Sequence, residues 1–285
     1  MAGTKYAYVK KFELPDPLLP ETYIVVRLDG HGFHRLSQDH DFTKPNDERA
    51  LQLMDRAARD IMNEFKEVVL AFGESDEYSF LFRKSAAVYN RRHAKILSTI
   101  TSLFTSSYVF NWARYFPETR LLYPPSFDGR VILYPSSQEV RDYFSWRQAD
   151  THINNLYNTT FWALVQQGGE TTTQAHATLR GTVSKTKHEI LFSRFGINYN
   201  KVSEHYRKGS VVVREESSEE QDVSLNDDQC TNRLTESDDG ASGVKEGRMN
   251  QPKARDTRKI KTSISVLHCD IIGKEFWDTR PWLLE

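Results

Sequence analysis

Two aspartates stand where a divalent metal would need them. Asp29 ends the β-branched run Tyr23-Ile-Val-Val-Arg-Leu28, and Asp76 closes Gly73-Glu-Ser-Asp76 between the strand-like runs Val68–Phe72 and Glu77–Phe82. Hard cations want oxygen ligands, and magnesium takes one or two carboxylates while leaving its other positions to water and phosphate. Two such ions roughly 3.5–4 Å apart can activate an attacking oxygen and stabilise the leaving one. Asp29 and Asp76 are the candidate ligands, with the Gly30 carbonyl as a third. Glu77 is expected on the opposite face of its strand. Taken singly, Asp-Gly reads as a turn and Ser-Asp-Glu as a solvated hairpin tip. At matching ends of adjacent strands, the metal reading is favoured.

Gly30-His-Gly-Phe-His34 follows the first carboxylate directly. Its glycines let the backbone approach a triphosphate and offer it amides. Phe33 could stack on a base or sit in the core, and His34 could bond phosphate. The loop matches neither common phosphate-binding pattern, and the His31/His34 pair lacks the further ligands of a zinc site. Lys44-Pro-Asn-Asp47 puts a cation and the Asn46 amide at a helix N-terminus, where anions are favoured; a cap with an exposed lysine is the bland alternative. Arg91, Arg92 and Lys95 cluster where a long helix should begin, opposing its dipole, which a phosphate partner would rationalise. Further on, His152 and Asn155 share a helix face, Tyr157 is suited to stacking, and Lys185, Lys187, Asn198 and Asn200 supply donors for phosphates and sugars. Each could equally be an ordinary solvated or structural residue.

The elements that must position these groups alternate. After the first strand, a helix capped at Asp47 is expected to run to about Phe65, with Leu51, Met54, Ala58 and Ile61 on one face. The two strands flanking Asp76 follow, then a helix over 88–116 and a strand over 127–134. This order predicts an α+β fold: a polymerase-palm-like, ferredoxin-like βαββαβ antiparallel sheet with helices on one face. Residues 1–135 are expected to form that catalytic domain. Residues 136–285 are expected to be helical, including 140–167, with a late hairpin made by 210–214 and 262–268. The segment 216–259 is too polar to offset its ordering entropy and is read as disordered.

The 285 residues carry a formal net charge of −1, with 38% hydrophobic and 27% charged residues. Residues 215–250 hold 11 Asp plus Glu against 3 Lys plus Arg, a net of −8 that leaves +7 for the rest. A basic body suits a polyanionic ligand, although many unrelated enzymes share that excess. No apolar run reaches bilayer length, and the opening MAGTKYAYVKKFE lacks a signal peptide's hydrophobic region, so export and membrane association are not expected. Cys230 and Cys269 form no CxxC pair, which argues against a disulfide framework or zinc cluster.

DGHGFH at 29–34, FTKPND at 42–47, FGESDEYSFLF at 72–82 and SWRQADTHINNLYNTTFW at 145–162 closely resemble the tRNA(His) guanylyltransferases. GTVSKTKHEILF at 181–192 and GINYN at 196–200 extend the resemblance to a fungal-type eukaryotic member of that family. The acidic segment is the departure. The resemblance implies that a guanylate is added to the 5′ end of tRNA(His), so that RNA grows 3′→5′. ATP would first adenylylate the 5′-monophosphate, the GTP 3′-hydroxyl would then displace AMP, and pyrophosphate would finally be removed, with two magnesium ions. It implies Asp29, Asp76 and Glu77 as the catalytic set and Asp29, Gly30 and Asp76 as metal ligands. Asp29, Gly30, His31, Gly32, Phe33, His34, Ser75 and Asp76 would bind GTP. Lys44, Asn46, Arg92 and Lys95 would form the activating triphosphate site, and His152, Asn155, Lys187 and Asn198 would handle the tRNA 5′ end. A homotetramer acting in the cytoplasm, with the nucleus as a second compartment, is also implied.

Two rivals compete. GESDEYSF is similar to the turn of diguanylate cyclases, so a palm-fold nucleotide cyclase would use the same metals without an RNA surface. A catalytically silent tRNA-binding protein would not need both Asp29 and Asp76.

Overall fold

Near-continuous apolar runs in the central strands and one-sided apolar stripes in the helices assemble into a single sheet covered on both faces. The computed structural model describes residues 4–216 and 262–285; the acidic segment expected to be disordered lies outside them from residue 217 on. In chain order the main elements are β1 (Tyr23–His31), α1 (Phe33–Asp39), α2 (Glu48–Glu64), β2 (Val68–Glu74), β3 (Glu77–Phe82), α3 (His93–Tyr115) and β4 (Ser126–Tyr134). Then come α4 (Ser137–Gln166), α5 (Thr172–Leu179), α6 (Ser184–Phe195), α7 (Glu204–Lys208), β5 (Ser210–Glu216), β6 (Thr262–Leu267) and α8 (Lys274–Asp278). No helix among the described residues is long and apolar enough to cross a membrane.

The sheet order is β4-β1-β3-β2-β5-β6. β1 lies antiparallel between β4 and β3, and β2 antiparallel between β3 and β5. The first four strands, with α2 and α3 as crossovers, are the expected palm. The turn between β4 and α4 falls at residue 135, and the sheet continues past it, because β5 pairs with β2 through Leu70–Gly73.

Period-two alternation sorts the side chains between two cores. Ile24, Val26 and Leu28 of β1 join Tyr78, Phe80 and Phe82 of β3 against the apolar stripe Leu53, Met54, Ala57, Ala58 and Ile61 of α2 and against Ile96, Ile100 and Phe104 of α3. Tyr23, Val25, Leu70 and Leu81 face the other way, onto Val140, Tyr143 and Phe144 of α4 and onto Phe276 and Trp277 of α8. The C-terminal region thus supplies a second layer, on the face that α2 and α3 leave open.

Asp47 caps α2 as expected, its carboxylate accepting from Arg49 N–H. The helix expected from 88 begins instead at His93. Tyr89, Asn90 and Arg91 take left-handed φ values of 50°, 55° and 57°, which breaks any continuous helix there. Arg91 is turned inward to donate to the carbonyls of Ala86, Leu19 and Thr22.

Gly73 shows how tightly the site-bearing hairpin is packed. Its register partner across the ladder is Tyr78, and a Cβ at Gly73 would lie 2.2 Å from the Tyr78 ring. That ring is buried and pinned by its hydroxyl, which donates to Asp55 Oδ1 at 2.9 Å. Gly73→Ala is therefore expected to cost about 1–3 kcal/mol, as overpacked cores do, read as a lowered urea midpoint. An unchanged midpoint would mean that Tyr78 can swing aside.

Candidate active site

β1 and β3 are neighbours, so the carboxylates at their ends converge. Asp29 lies directly opposite Glu77 in the β1–β3 register. Ser75 and Asp76 form a two-residue turn between the paired Glu74 and Glu77, with Ser75 at a φ of 50°. Gly30 N–H donates to the Asp76 carbonyl at 3.0 Å, stitching the end of β1 to the hairpin tip. Asp29, Asp76 and Glu77 all line one cavity of about 330 Å³. The expectation that Glu77 faces away is corrected: Asp76 belongs to the turn rather than the strand, so strand alternation does not separate the two.

That cavity is strongly acidic. Six carboxylates line it, from Asp29, Asp55, Glu74, Asp76, Glu77 and Asp150, against a single guanidinium, Arg147. Arg147, 4% exposed, donates twice to Glu77 at 2.9 and 3.0 Å and once to Asp150 at 2.9 Å. Arg27 adds a longer ion pair to Glu77 at 3.6 Å. Glu77 is thus held by cations from the protein itself. Asp76 is not: burial raises its pKa, and the charges of Asp29 and Glu77 raise it further. Two carboxylates that repel in a confined, half-dry site are what a divalent cation relieves. The donor set of Asp29, Asp76 and the Gly30 backbone fits a hard ion.

A second cavity, of about 920 Å³, opens on the other side of Ser75 and Asp76, which line both. Lys44 lines it, its ammonium donating to Ser37 Oγ at 2.8 Å. Burial pushes the Lys44 pKa down, a cost that an anion would offset. Asn46 reaches both cavities and donates to Asn155 Oδ1 at 2.9 Å, while Asn155 donates to the Tyr199 hydroxyl at 3.0 Å. Tyr157 and Phe161 supply aromatic wall, and the Tyr157 hydroxyl meets His176 Nδ1 at 2.7 Å.

The other expected residues fall differently. His34 lines the larger cavity, whereas His31 lies exposed at the end of β1 and lines neither. Gly32 is left-handed, φ 70°, and caps α1, which begins where a loop was expected. Phe33 is not free to stack on a base: 9% exposed, its ring packs on Phe127 at 4.8 Å and Tyr108 at 5.7 Å. A Cβ at Gly30 would lie 2.4 Å from that ring, so the glycine has a packing role. Arg92 and Lys95 are not gathered with Lys44 and Asn46. Arg92 is engaged by Glu13 and Asp16, Lys95 is exposed on α3, and neither lines either of the two cavities. The inward turn of residues 89–91 sets that direction. His152 packs edge-on against Tyr199 at 5.5 Å and near His188 at 6.5 Å, and its pKa is lowered by burial first and by His188 next. Lys187 donates to the Thr182 carbonyl and lies 5.9 Å over the Tyr157 ring; Asn198 caps the turn at Tyr199–Lys201.

Sequence reasoning missed Glu74 and Arg147. The signal for Arg147 was faint: an arginine one turn before Thr151 on α4. Glu74 is pushed from its ordinary 4.5 up to about 7, chiefly by burial, with Glu77 and Asp150 adding to the rise and Thr151 and Arg147 opposing it. A carboxyl raised in the folded state keeps a proton that the unfolded chain has released. Its stabilisation is intact below the ordinary value and is lost as pH climbs through the folded one. Glu74→Gln should therefore flatten the fall of stability between pH 4.5 and about 7, followed by urea midpoints in metal-free buffer. A fall as steep as in the unsubstituted protein would contradict this placement.

Comparison with known proteins agrees with this architecture. The family model described as tRNAHis guanylyltransferase matches residues 6–135, and that described as Thg1 C terminal domain matches residues 138–273. The chain is similar to the tRNA(His) guanylyltransferase of Schizosaccharomyces pombe, 50% identical over 283 residues, 99% of this chain and 98% of that one. It is 46% identical to the human probable tRNA(His) guanylyltransferase, covering all of this chain and 89% of that one. The crystal structure of the Saccharomyces cerevisiae enzyme superposes with a TM-score of 0.71 at 50% identity, covering 73% of this chain and 93% of that chain. A bacterial guanylyltransferase-like protein solved in complex with ATP shares the fold, at a TM-score of 0.62 and 23% identity, covering 72% of this chain and 86% of that one. With matched models spanning nearly its whole length and relatives at half identity, the chain belongs to the tRNA(His) guanylyltransferase family of nucleotidyltransferases.

Proposed function

We propose that this protein adds a guanylate to the 5′ end of tRNA(His) by 3′→5′ nucleotidyl transfer. The observation that carries the reading is the stitched edge where Asp29 and Asp76 meet, set between an acidic cavity and a larger chamber holding a half-buried lysine. A 5′-monophosphate oxygen of the tRNA attacks the α-phosphorus of ATP and releases pyrophosphate. The 3′-hydroxyl of GTP then attacks the activated 5′-phosphorus and AMP departs. Water finally cleaves pyrophosphate from the added nucleotide. Every step is an in-line displacement at phosphorus, which needs positioning and charge neutralisation rather than an activated protein nucleophile.

Each side chain has a role suited to its setting. Asp29, Asp76 and the Gly30 carbonyl would hold magnesium, and the ion would supply charge neutralisation for the phosphoryl oxygens. Glu77, fixed by Arg147, sets the position of the β3 end beside them. Ser75, the amides of Phe33 and His34 at the start of α1 and the His34 ring receive GTP from the larger chamber. Lys44 and Asn46 bind the activating triphosphate, and the ammonium of Lys44 exchanges its lone hydroxyl partner for phosphate oxygens. His152, Asn155, Lys187 and Asn198, grouped around Tyr199 and Tyr157, receive the tRNA 5′ end. The bacterial relatives solved with ATP and with GTP support nucleotides of this type. Exposed Phe110, Val109, Tyr8 and Phe12 are apolar surface suited to burial in a homotetramer.

The test is incorporation of labelled GTP into 5′-monophosphorylated tRNA(His) with ATP and magnesium. Asp76→Ala should reduce incorporation by on the order of 100-fold or more. Lys44→Ala should mainly raise the ATP concentration needed. A folded protein that binds tRNA(His) without incorporating GTP would overturn the proposal in favour of a silent binding protein.

A further inference from the structure

One cluster of metal-ligating side chains takes no part in this chemistry. Asp55 on α2, His205 on α7 and His268 just after β6 each bring a donor atom within 4.8 Å of the other two. They are scattered over more than two hundred residues of sequence, and only the pairing of β5 beside β2 and the return of the chain at β6 gathers them. Asp55 and His205 also line the acidic cavity.

Three features of the cluster suit a bound ion better than a bare polar contact. His205 is 8% exposed, and its Nε2 has no hydrogen-bond partner; Asp55 Oδ2 is the neighbouring oxygen, 3.5 Å away. A buried imidazole nitrogen left unpaired costs free energy. His268 donates Nδ1–H to the Gly209 carbonyl at 3.0 Å, which leaves the lone pair on Nε2. A ring fixed through its other nitrogen is the usual setting of a histidine ligand. Asp55 is likewise held from behind, accepting from the Tyr78 hydroxyl at 2.9 Å and from Ser210 Oγ at 2.9 Å. The two imidazoles stack with centroids 4.1 Å apart, so they approach from the same side.

We propose that Asp55, His205 and His268 bind one divalent ion of the zinc class, separate from magnesium at Asp29 and Asp76. Two imidazole nitrogens and one carboxylate oxygen select zinc, cobalt or nickel over magnesium. Three protein ligands leave a fourth tetrahedral position toward the cavity. Donors sit about 2.0–2.1 Å from zinc, so binding draws the half-buried His268 inward. The ion ties α2, α7 and the end of β6 together and closes one wall of the acidic cavity. The inference stands apart from the proposed reaction, since no step of that reaction uses it.

Cobalt(II) is the probe, added to tag-free full-length protein in excess magnesium so that hard-ion sites are filled. One equivalent should bind with the intense visible absorption of a tetrahedral site, be displaced by zinc, and raise the thermal unfolding midpoint. His268→Phe, which keeps the ring stack, and His205→Gln should each weaken binding by at least about tenfold while the far-ultraviolet circular dichroism is unchanged. The spectrum should survive in an Asp29→Asn/Asp76→Asn double variant. Absence of stoichiometric cobalt in the folded unsubstituted protein, equal binding by both histidine variants, or loss of the spectrum only in the aspartate double variant would overturn the proposal. Should one histidine variant fail to fold, the other and the unsubstituted stoichiometry still decide.

Discussion

The hydrogen bond from Gly30 N–H to the Asp76 carbonyl is the point on which the rest of the site depends. It fixes the end of β1 against the β2–β3 turn, and with it the separation of two carboxylates that would otherwise repel apart. The sheet around it is built to hold that junction. Asp29 faces Glu77 in register, Gly73 makes room for Tyr78, and Gly30 makes room for Phe33. Burial on both faces leaves this edge little freedom to relax, so the electrostatic cost of crowded carboxylates is carried by Arg147 on one side and, in the proposed reaction, would be offset by a metal ion on the other. Charge balance thus divides the residues. Glu77 is satisfied by the protein itself, whereas Asp29 and Asp76 are left for a ligand.

The two cavities that meet at Ser75 and Asp76 give that edge its chemistry. One is acidic and narrow, the other larger and walled by aromatic side chains, with a lysine whose charge is poorly solvated. A polyanionic substrate spanning both would meet a cationic group and a metal-binding edge within one continuous lining. The α4 helix makes this possible, since it carries Arg147 and Asn155 past the palm and bonds Asn46 from across the cavity.

Much of this was legible in the sequence because it is local. Apolar and β-branched runs marked β1, β2 and β3, Asp47 marked the start of α2, and the βαββαβ order fixed which strands could be neighbours. The position of Asp29 and Asp76 at neighbouring strand ends followed from that order. What was not legible depends on non-local packing. Whether Phe33 stacks on a base or fills the core is decided by Tyr108 and Phe127, 75 and 94 residues further along the chain. The direction of Arg92 is set by three left-handed residues that no propensity requires. Glu74 looks like any polar hairpin residue until α4 buries it. The meeting of Asp55 with His205 and His268 needs β5 to join the sheet beside β2, which a reading of the late strands as a separate hairpin does not provide.

The central claim is that Asp29 and Asp76 hold the same ion rather than serving separately. Manganese affinity, followed by electron paramagnetic resonance in a double-mutant cycle of Asp29→Asn and Asp76→Asn, tests it directly. Ligands of one ion are coupled, so each single variant should lose most of the tight binding and the double variant should lose little more. Losses that simply add, or tight binding that survives both substitutions, would contradict a shared site.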